Sequence, residues 1–360
     1  MTVRFNRRTF NTLLGSTLGA GLAAGTLPRR AAAAGEITVL NWKGYGTDEA
    51  FALEAFTAAT GIAVRHDYFN SEPEMLTKLR TNPGAYDVVL VNSARTAQAQ
   101  AEGLIEAIDY AAVPNAADVP DAIRSHANLY LDGTPYGVPW LWGMSSLTVR
   151  EGVVEGADSW AIMTDPAYEG RLCLFDDSVT AVAIGALLTG QDINDPQDLA
   201  AIGEVLKSMK PNLKLLWSSE DEWNRAFAAG SFDISVYWSG AAVRAIQEFD
   251  LPVEFVVPKE GAIGWLDILA VPVSSTAKDE ALAFIDYMID PDFYVTWATT
   301  AGAPASANAI AMEGLPPGDL NAEVHKAEYF SELQMMADLP DDRRQAFVDL
   351  WEEVKAHYAA

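Results

Sequence analysis

The sequence predicts an α/β protein of two lobes, on three observations. Short β-rich runs alternate with segments of helical composition along most of the chain, the pattern of a mainly parallel sheet covered by helices. Pro135, Gly137 and Pro139 interrupt that alternation around Trp140-Leu141-Trp142-Gly143, after which it resumes. The length of 360 residues, half of them hydrophobic, suffices for about two domains with sizeable cores.

In chain order, Ile37 to Trp42 is β-rich, Asp48 to Thr60 is helical and stops at Gly61, and Ile62 to Tyr68 is β-rich again. A helix near Glu74 to Arg80, a strand at Asp87 to Val91 and a helix near Thr96 to Glu102 continue the pattern. The Trp140 to Gly143 segment is read as the crossing between lobes. Beyond it come a strand at Arg171 to Phe175, helices near Ser178 to Leu188 and Asp198 to Met209, and a strand at Lys214 to Trp217. A helix from Glu220 to Ala229 precedes strands at Asp233 to Trp238, Val253 to Pro258 and Trp265 to Val271. Glu280 to Ile289, Asp292 to Thr299 and Arg343 to Tyr358 close the chain as helices.

Residues 1–34 read as a twin-arginine export leader: Asn6-Arg7-Arg8-Thr9-Phe10, then an uncharged stretch to Pro28, then Arg29-Arg30 and a run of alanines for cleavage. With four glycines, Asn11 to Pro28 falls short of the roughly 20 strongly apolar residues of a membrane span. Formal charge is −26, and because the leader holds five arginines and no acid, its removal takes the chain to −31. Such a balance argues against nucleic acid or anionic membrane as partner. Cys173 is the single cysteine, which excludes an intrachain disulfide and a lipid-attachment cysteine after the leader. Within Leu172-Cys173-Leu174-Phe175 it reads as a buried structural thiol. These features predict a freely soluble, monomeric periplasmic protein.

In open α/β sheets ligands bind beyond the carboxyl ends of the strands. Trp42 and Tyr45 follow the first strand, Asn92 and Ser93 the third, and Asp176 and Asp177 the run ending at Phe175, while Trp238 ends its own strand. A period of two places Trp265 and Asp267 on one face of their strand. Aromatic faces attract an ammonium, and carboxylates neutralise it through charge-assisted hydrogen bonds. The set therefore suits a small aliphatic amine. Duller roles exist for each member: core packing for Trp42 and Trp265, helix capping for Ser93 and one of Asp176 and Asp177, turn closure for Asn92. Lys43 and Arg95 flank the set; a cation facing the cleft would favour a ligand that carries an acid as well as an amine. His66, His126, His325 and His357 lack metal-ligand spacing, and after the leader there is no Gly-x-Ser-x-Gly elbow, phosphate loop or dinucleotide fingerprint. No metal and no cofactor is expected.

From about residue 36 to 355 the chain resembles the spermidine/putrescine-binding proteins of bacterial ABC importers. The similarity lies in Asn41-Trp42-x-x-Tyr45, Ala85-Tyr86-Asp87-Val88-Val89, Val138-Pro139-Trp140-Leu141-Trp142-Gly143, Phe175-Asp176-Asp177 and Tyr237-Trp238-Ser239-Gly240. It continues in Pro258-Lys259-Glu260-Gly261, Trp265-Leu266-Asp267, Ala270-Val271-Pro272 and Gln334. The resemblance implies the type II periplasmic binding protein fold, with lobes 36–141 plus 266–312 and 142–265 plus 313–360 and a ligand cleft at the hinge. It implies aromatic walls from Trp42, Tyr45, Trp238 and Trp265, amino-group contacts from Asp177 and Asp267, and hydrogen bonds from Asn92 and Gln334. Lys43 stands where the family has a small hydroxyl residue, Ala94 and Ala303 where spermidine binders have tyrosines, and Thr180 where an acid helps bind an amine. A putrescine-like ligand is therefore expected over spermidine.

The expected function is capture of a cationic amine and its delivery to an inner-membrane ABC permease, without catalysis. Two alternatives stand beside it: a zwitterionic or anion-bearing amine on the same fold, favoured if Lys43 faces the cleft, and an exported hydrolase using two aspartates.

Overall fold

The computed structural model describes residues 4–6, 35–330 and 333–360. The leader read over 1–34 lies outside the described residues, save Arg4–Asn6, which pair antiparallel with Val253–Val256. The described chain divides into two compact units, residues 35–142 with 266–317 and residues 143–265 with 318–360.

In the first unit, strand Glu36–Asn41 lies between Ala63–Tyr68 and Val88–Asn92, parallel to both. Ile37, Val39 and Leu40 are fully buried, as are Val88 to Val91, the near-continuous apolar runs of parallel strands covered on both faces. Helix Ala50–Thr60 connects the first two strands and ends on Gly61, whose φ of 77° allows its N–H to return to the Thr57 carbonyl. Phe56 of that helix meets Phe284 edge to face at 5.2 Å. Helix Glu72–Thr81 leads to the third strand, buries Met75, Leu76 and Leu79, and starts from a Ser71 cap that accepts from Glu74 N. The strand Ile263–Ala270 then joins antiparallel and sets Asp267 directly opposite Asn92.

The second unit repeats the scheme. Leu172–Phe175 runs parallel to Leu213–Trp217 and to Ile234–Trp238. Ile234–Trp238 pairs antiparallel with Val138–Arg150, which also takes Val253–Val256 on its other edge. Helices Ser178–Thr189, Leu199–Ser208 and Asp341–Ala359 pack through Val182, Ile202, Leu206, Phe347 and Trp351. A second core gathers Trp223, Phe227, Phe232, Tyr237 and Phe255 around Cys173, whose thiol burial pushes well above the usual range.

Two elements were not foreseen. Trp140 to Gly143, read as the crossing between lobes, spans the boundary of the two units as the interior of a 13-residue strand, Val138–Arg150, twelve of whose residues are buried. Pro139 sits second in that strand, where a missing N–H is tolerated. Ser239–Gln247 forms a helix directly after Trp238, which the small residues Ser239-Gly240-Ala241-Ala242 concealed. Two strands, Val138–Arg150 and Ile263–Ala270, carry the chain from one unit to the other.

Candidate functional site

The first unit builds its part of the candidate site from the end of strand Glu36–Asn41. Asn41 is fully buried and donates from Nδ2 to the Tyr45 carbonyl at 3.0 Å and to Thr47 Oγ1 at 2.8 Å, while its Oδ1 accepts from Trp42 N at 2.7 Å. One amide thus folds the 42–47 loop over its own strand. Gly46 in that loop has φ 77°, and a Cβ there would lie 2.5 Å from the Trp297 ring, so glycine is required twice over. Trp297 stacks on Trp140 at 6.0 Å, and Trp140 receives the Tyr45 ring edge-on at 5.7 Å. Trp42 meets Phe69 at 4.5 Å, edge to face, and stays partly exposed beyond its strand.

Tyr45 donates from its hydroxyl to Asp267 Oδ2 at 2.9 Å, and Asn92 donates from Nδ2 to Asp267 Oδ1 at 2.9 Å. Asp267 is 7% exposed, and among the described residues no lysine, arginine or histidine pairs with it. Burial pushes its carboxyl up to about 6, against the two hydrogen bonds that favour the charged form. Asn92 also accepts from Ala94 N at 3.0 Å, so it closes the turn and holds Asp267 together. Ser93 is buried and caps no helix, and its Oγ has no partner. Lys43 is exposed. Arg95 is half-buried; its guanidinium donates to Gln98 Oε1 at 3.4 Å and its charge pulls the Glu72 carboxyl down.

Glu72 is the residue that sequence reasoning missed. It opens helix Glu72–Thr81, and its Oε2 is shut off from solvent with no hydrogen-bond partner. Burial, then the nearby Asp267 charge, push it up to about 8, while Arg95 and the Asn92 backbone amide pull it down.

In the second unit, Trp238 ends its strand half-buried, edge-on to Trp217 at 5.0 Å and Phe175 at 5.2 Å. Trp265 is 7% exposed with an enclosed, unpartnered Nε1. Gly143 makes room for its ring: a Cβ there would fall 2.4 Å from Trp265 Cζ2 and 2.9 Å from Ser239 Oγ. The fully buried His325, held down near 4 by desolvation, contacts Ser239 Oγ from Nε2 at 2.7 Å and the Asn321 carbonyl from Nδ1 at 3.2 Å. Asp177 caps helix Ser178–Thr189 through Oδ1, which accepts from Thr180 N at 2.7 Å, and keeps Oδ2 for another partner. Asp176 is occupied by Trp351 Nε1 at 2.8 Å and Lys355 Nζ at 3.1 Å. Gln334 is exposed, beside Ile263 in a short parallel pairing. The structure therefore joins Tyr45, Asn92 and Asp267 by hydrogen bonds, seats Trp42 on the same unit, and places Asp177, Trp238, Trp265 and Gln334 on the other.

The model of the bacterial extracellular solute-binding protein family matches residues 52–326. A spermidine/putrescine-binding periplasmic protein of Escherichia coli is 32% identical over 271 residues, covering 74% of this chain and 76% of that protein. A putrescine-binding periplasmic protein of Pseudomonas aeruginosa is 25% identical over 368 residues, covering 95% and 98%. The solved substrate-binding protein of a spermidine/putrescine ABC transporter from Streptococcus pneumoniae superposes with TM-score 0.79 at 23% identity, over 90% of this chain and 99% of that one. The last likeness shows the fold, that of type II periplasmic binding proteins. With its match to the family model and these relatives, the chain belongs to the bacterial extracellular solute-binding proteins, in the spermidine/putrescine-binding family that serves ABC importers.

Proposed function

We propose that this protein captures a small aliphatic amine with a terminal ammonium, putrescine-like in size, in the periplasm and hands it to the permease of an ABC importer. The names of its relatives support the transport role, the periplasmic location and the ligand class. The observation that carries the ligand class is Asp267. A buried carboxylate with two neutral donors and, among the described residues, no lysine, arginine or histidine partner is an unfinished ion pair, and burying a charge without a countercharge is costly. An ammonium completes it.

In this reading Tyr45 and Asn92 aim the carboxylate, and Trp42 lies along methylenes of the ligand, each worth about 0.8 kcal/mol when buried. Trp238, Trp265, Asp177 through its unused oxygen, and Gln334 supply contacts from the second unit. Exposed Lys43 does not commit the ligand to carry an acid. The paired Arg7-Arg8 supports export by the twin-arginine route.

A thermal-shift panel of putrescine, cadaverine, spermidine, glutamate and an aminophosphonate tests the proposal. Diamines are expected to raise the melting temperature most. A shift produced by organic acids while every amine leaves the transition unmoved would reject it.

A further inference from the structure

We propose that Glu72 is a further ligand-contacting residue, forming with Asp267 a two-carboxylate seat for one ammonium, and that the arriving ammonium displaces a proton from Glu72. This rests on the amine reading above and deepens it by naming a specificity determinant of that site.

Three observations place Glu72 there. Its Oε2 is enclosed without a partner, although polar groups withdrawn from water are normally hydrogen-bonded. Asn92 links the two acids: its side-chain amide holds Asp267 Oδ1, and its backbone amide acts on Glu72. The adjoining Ser93 is 1% exposed and Thr96 fully buried, each with a hydroxyl that lacks a partner. Unpartnered polar atoms thus cluster along the chain next to Asn92, which holds a carboxylate whose two hydrogen bonds both come from neutral donors.

The charges that act on Glu72 are Asp267 from the strand Ile263–Ala270 and Arg95 from the turn after Asn92. On its own helix, Glu74 is engaged with Asn70 and Lys78 instead. Two like charges this close disfavour joint ionisation, so without ligand Glu72 holds a proton at neutral pH. An ammonium changes the balance: Glu72 ionises, its proton leaves to solvent, and carboxylate and ammonium share the charge-assisted hydrogen bond. Net charge is conserved, with one proton released for each ammonium seated. Affinity consequently rises with pH until Glu72 is ionised in the free protein.

The test is calorimetric titration of the full-length protein with putrescine at pH 7, in two buffers of different ionisation enthalpy, for wild type, Glu72→Gln and Glu72→Asp. Wild type is expected to release protons on binding. Glu72→Gln is expected to bind roughly 10- to 100-fold more weakly with no Glu72-dependent release, and Glu72→Asp to recover part of both. Binding by Glu72→Gln with wild-type affinity and wild-type proton release would overturn this proposal and leave the amine reading intact. Absence of putrescine binding by the wild type would overturn both.

Discussion

Asp267 receives one hydrogen bond on each oxygen, from Tyr45 and Asn92, so each neighbour can be removed separately. Asp267→Asn removes the charge while leaving similar shape, and putrescine affinity is expected to fall at least ~30-fold by calorimetry. Tyr45→Phe removes a bond that favours the ionised form, so the carboxyl titrates higher still. The affinity loss for that variant is expected to be larger at pH 6 than at pH 8, roughly 10-fold in the first case. The acids themselves were unequally legible. Asp267 stood two residues from Trp265 in a clear strand pattern, and its motif carried it. Glu72 was hidden because Ser71-Glu72-Pro73-Glu74 reads as a helix start, where acids are favoured by the helix dipole and by capping. Glu74 does serve that purpose, accepting from Asn70 N at 2.9 Å. Only the third dimension separates the capping acid from the one turned toward Asp267.

At the scale of elements, the loop between strand Glu36–Asn41 and helix Ala50–Thr60 positions the phenol, and Gly46 lets it close. Gly46→Ala combines a left-handed backbone with a clash on Trp297, and is expected to cost about 2–4 kcal/mol in urea unfolding. Amine affinity should fall with it, because Tyr45 shifts. Most strands and helices were legible, since short β-rich apolar runs alternate with helical segments whose limits are fixed by residues such as Gly61 and by polar turns. The Val138–Arg150 strand was not, because prolines and a glycine near its start look like punctuation. Gly143 is in fact there to admit the Trp265 ring. Helix Ser239–Gln247 escaped because it opens on the small residues Ser239-Gly240-Ala241-Ala242 directly after a strand. Strand direction was also beyond the pattern: side-chain alternation is the same in both senses, and Val138–Arg150 proved antiparallel to Ile234–Trp238 and Ile263–Ala270 antiparallel to Val88–Asn92.

For the whole molecule, protonation and stability are linked through the raised carboxyls. Glu72 rises from the ordinary 4.5 to about 8 and Asp267 from 3.8 to about 6. A raised carboxyl favours the fold below its ordinary value and loses that contribution as pH climbs through its folded value. The ligand-free protein should therefore lose melting temperature between about pH 6.5 and 8.5, where the buried His325 is already neutral, and Glu72→Gln should flatten that slope. Saturating putrescine should flatten it too, since the ammonium supplies the missing countercharge. The formal charge of −26 adds long-range attraction for cations that salt weakens. The charge at the ligand's end carries the central claim. The most direct measurement is a paired calorimetric titration with putrescine and with 1,4-butanediol, which has the same chain and no charge. Saturable binding of the diamine with none of the diol is the expected result; comparable binding of both would contradict a carboxylate-seated ammonium.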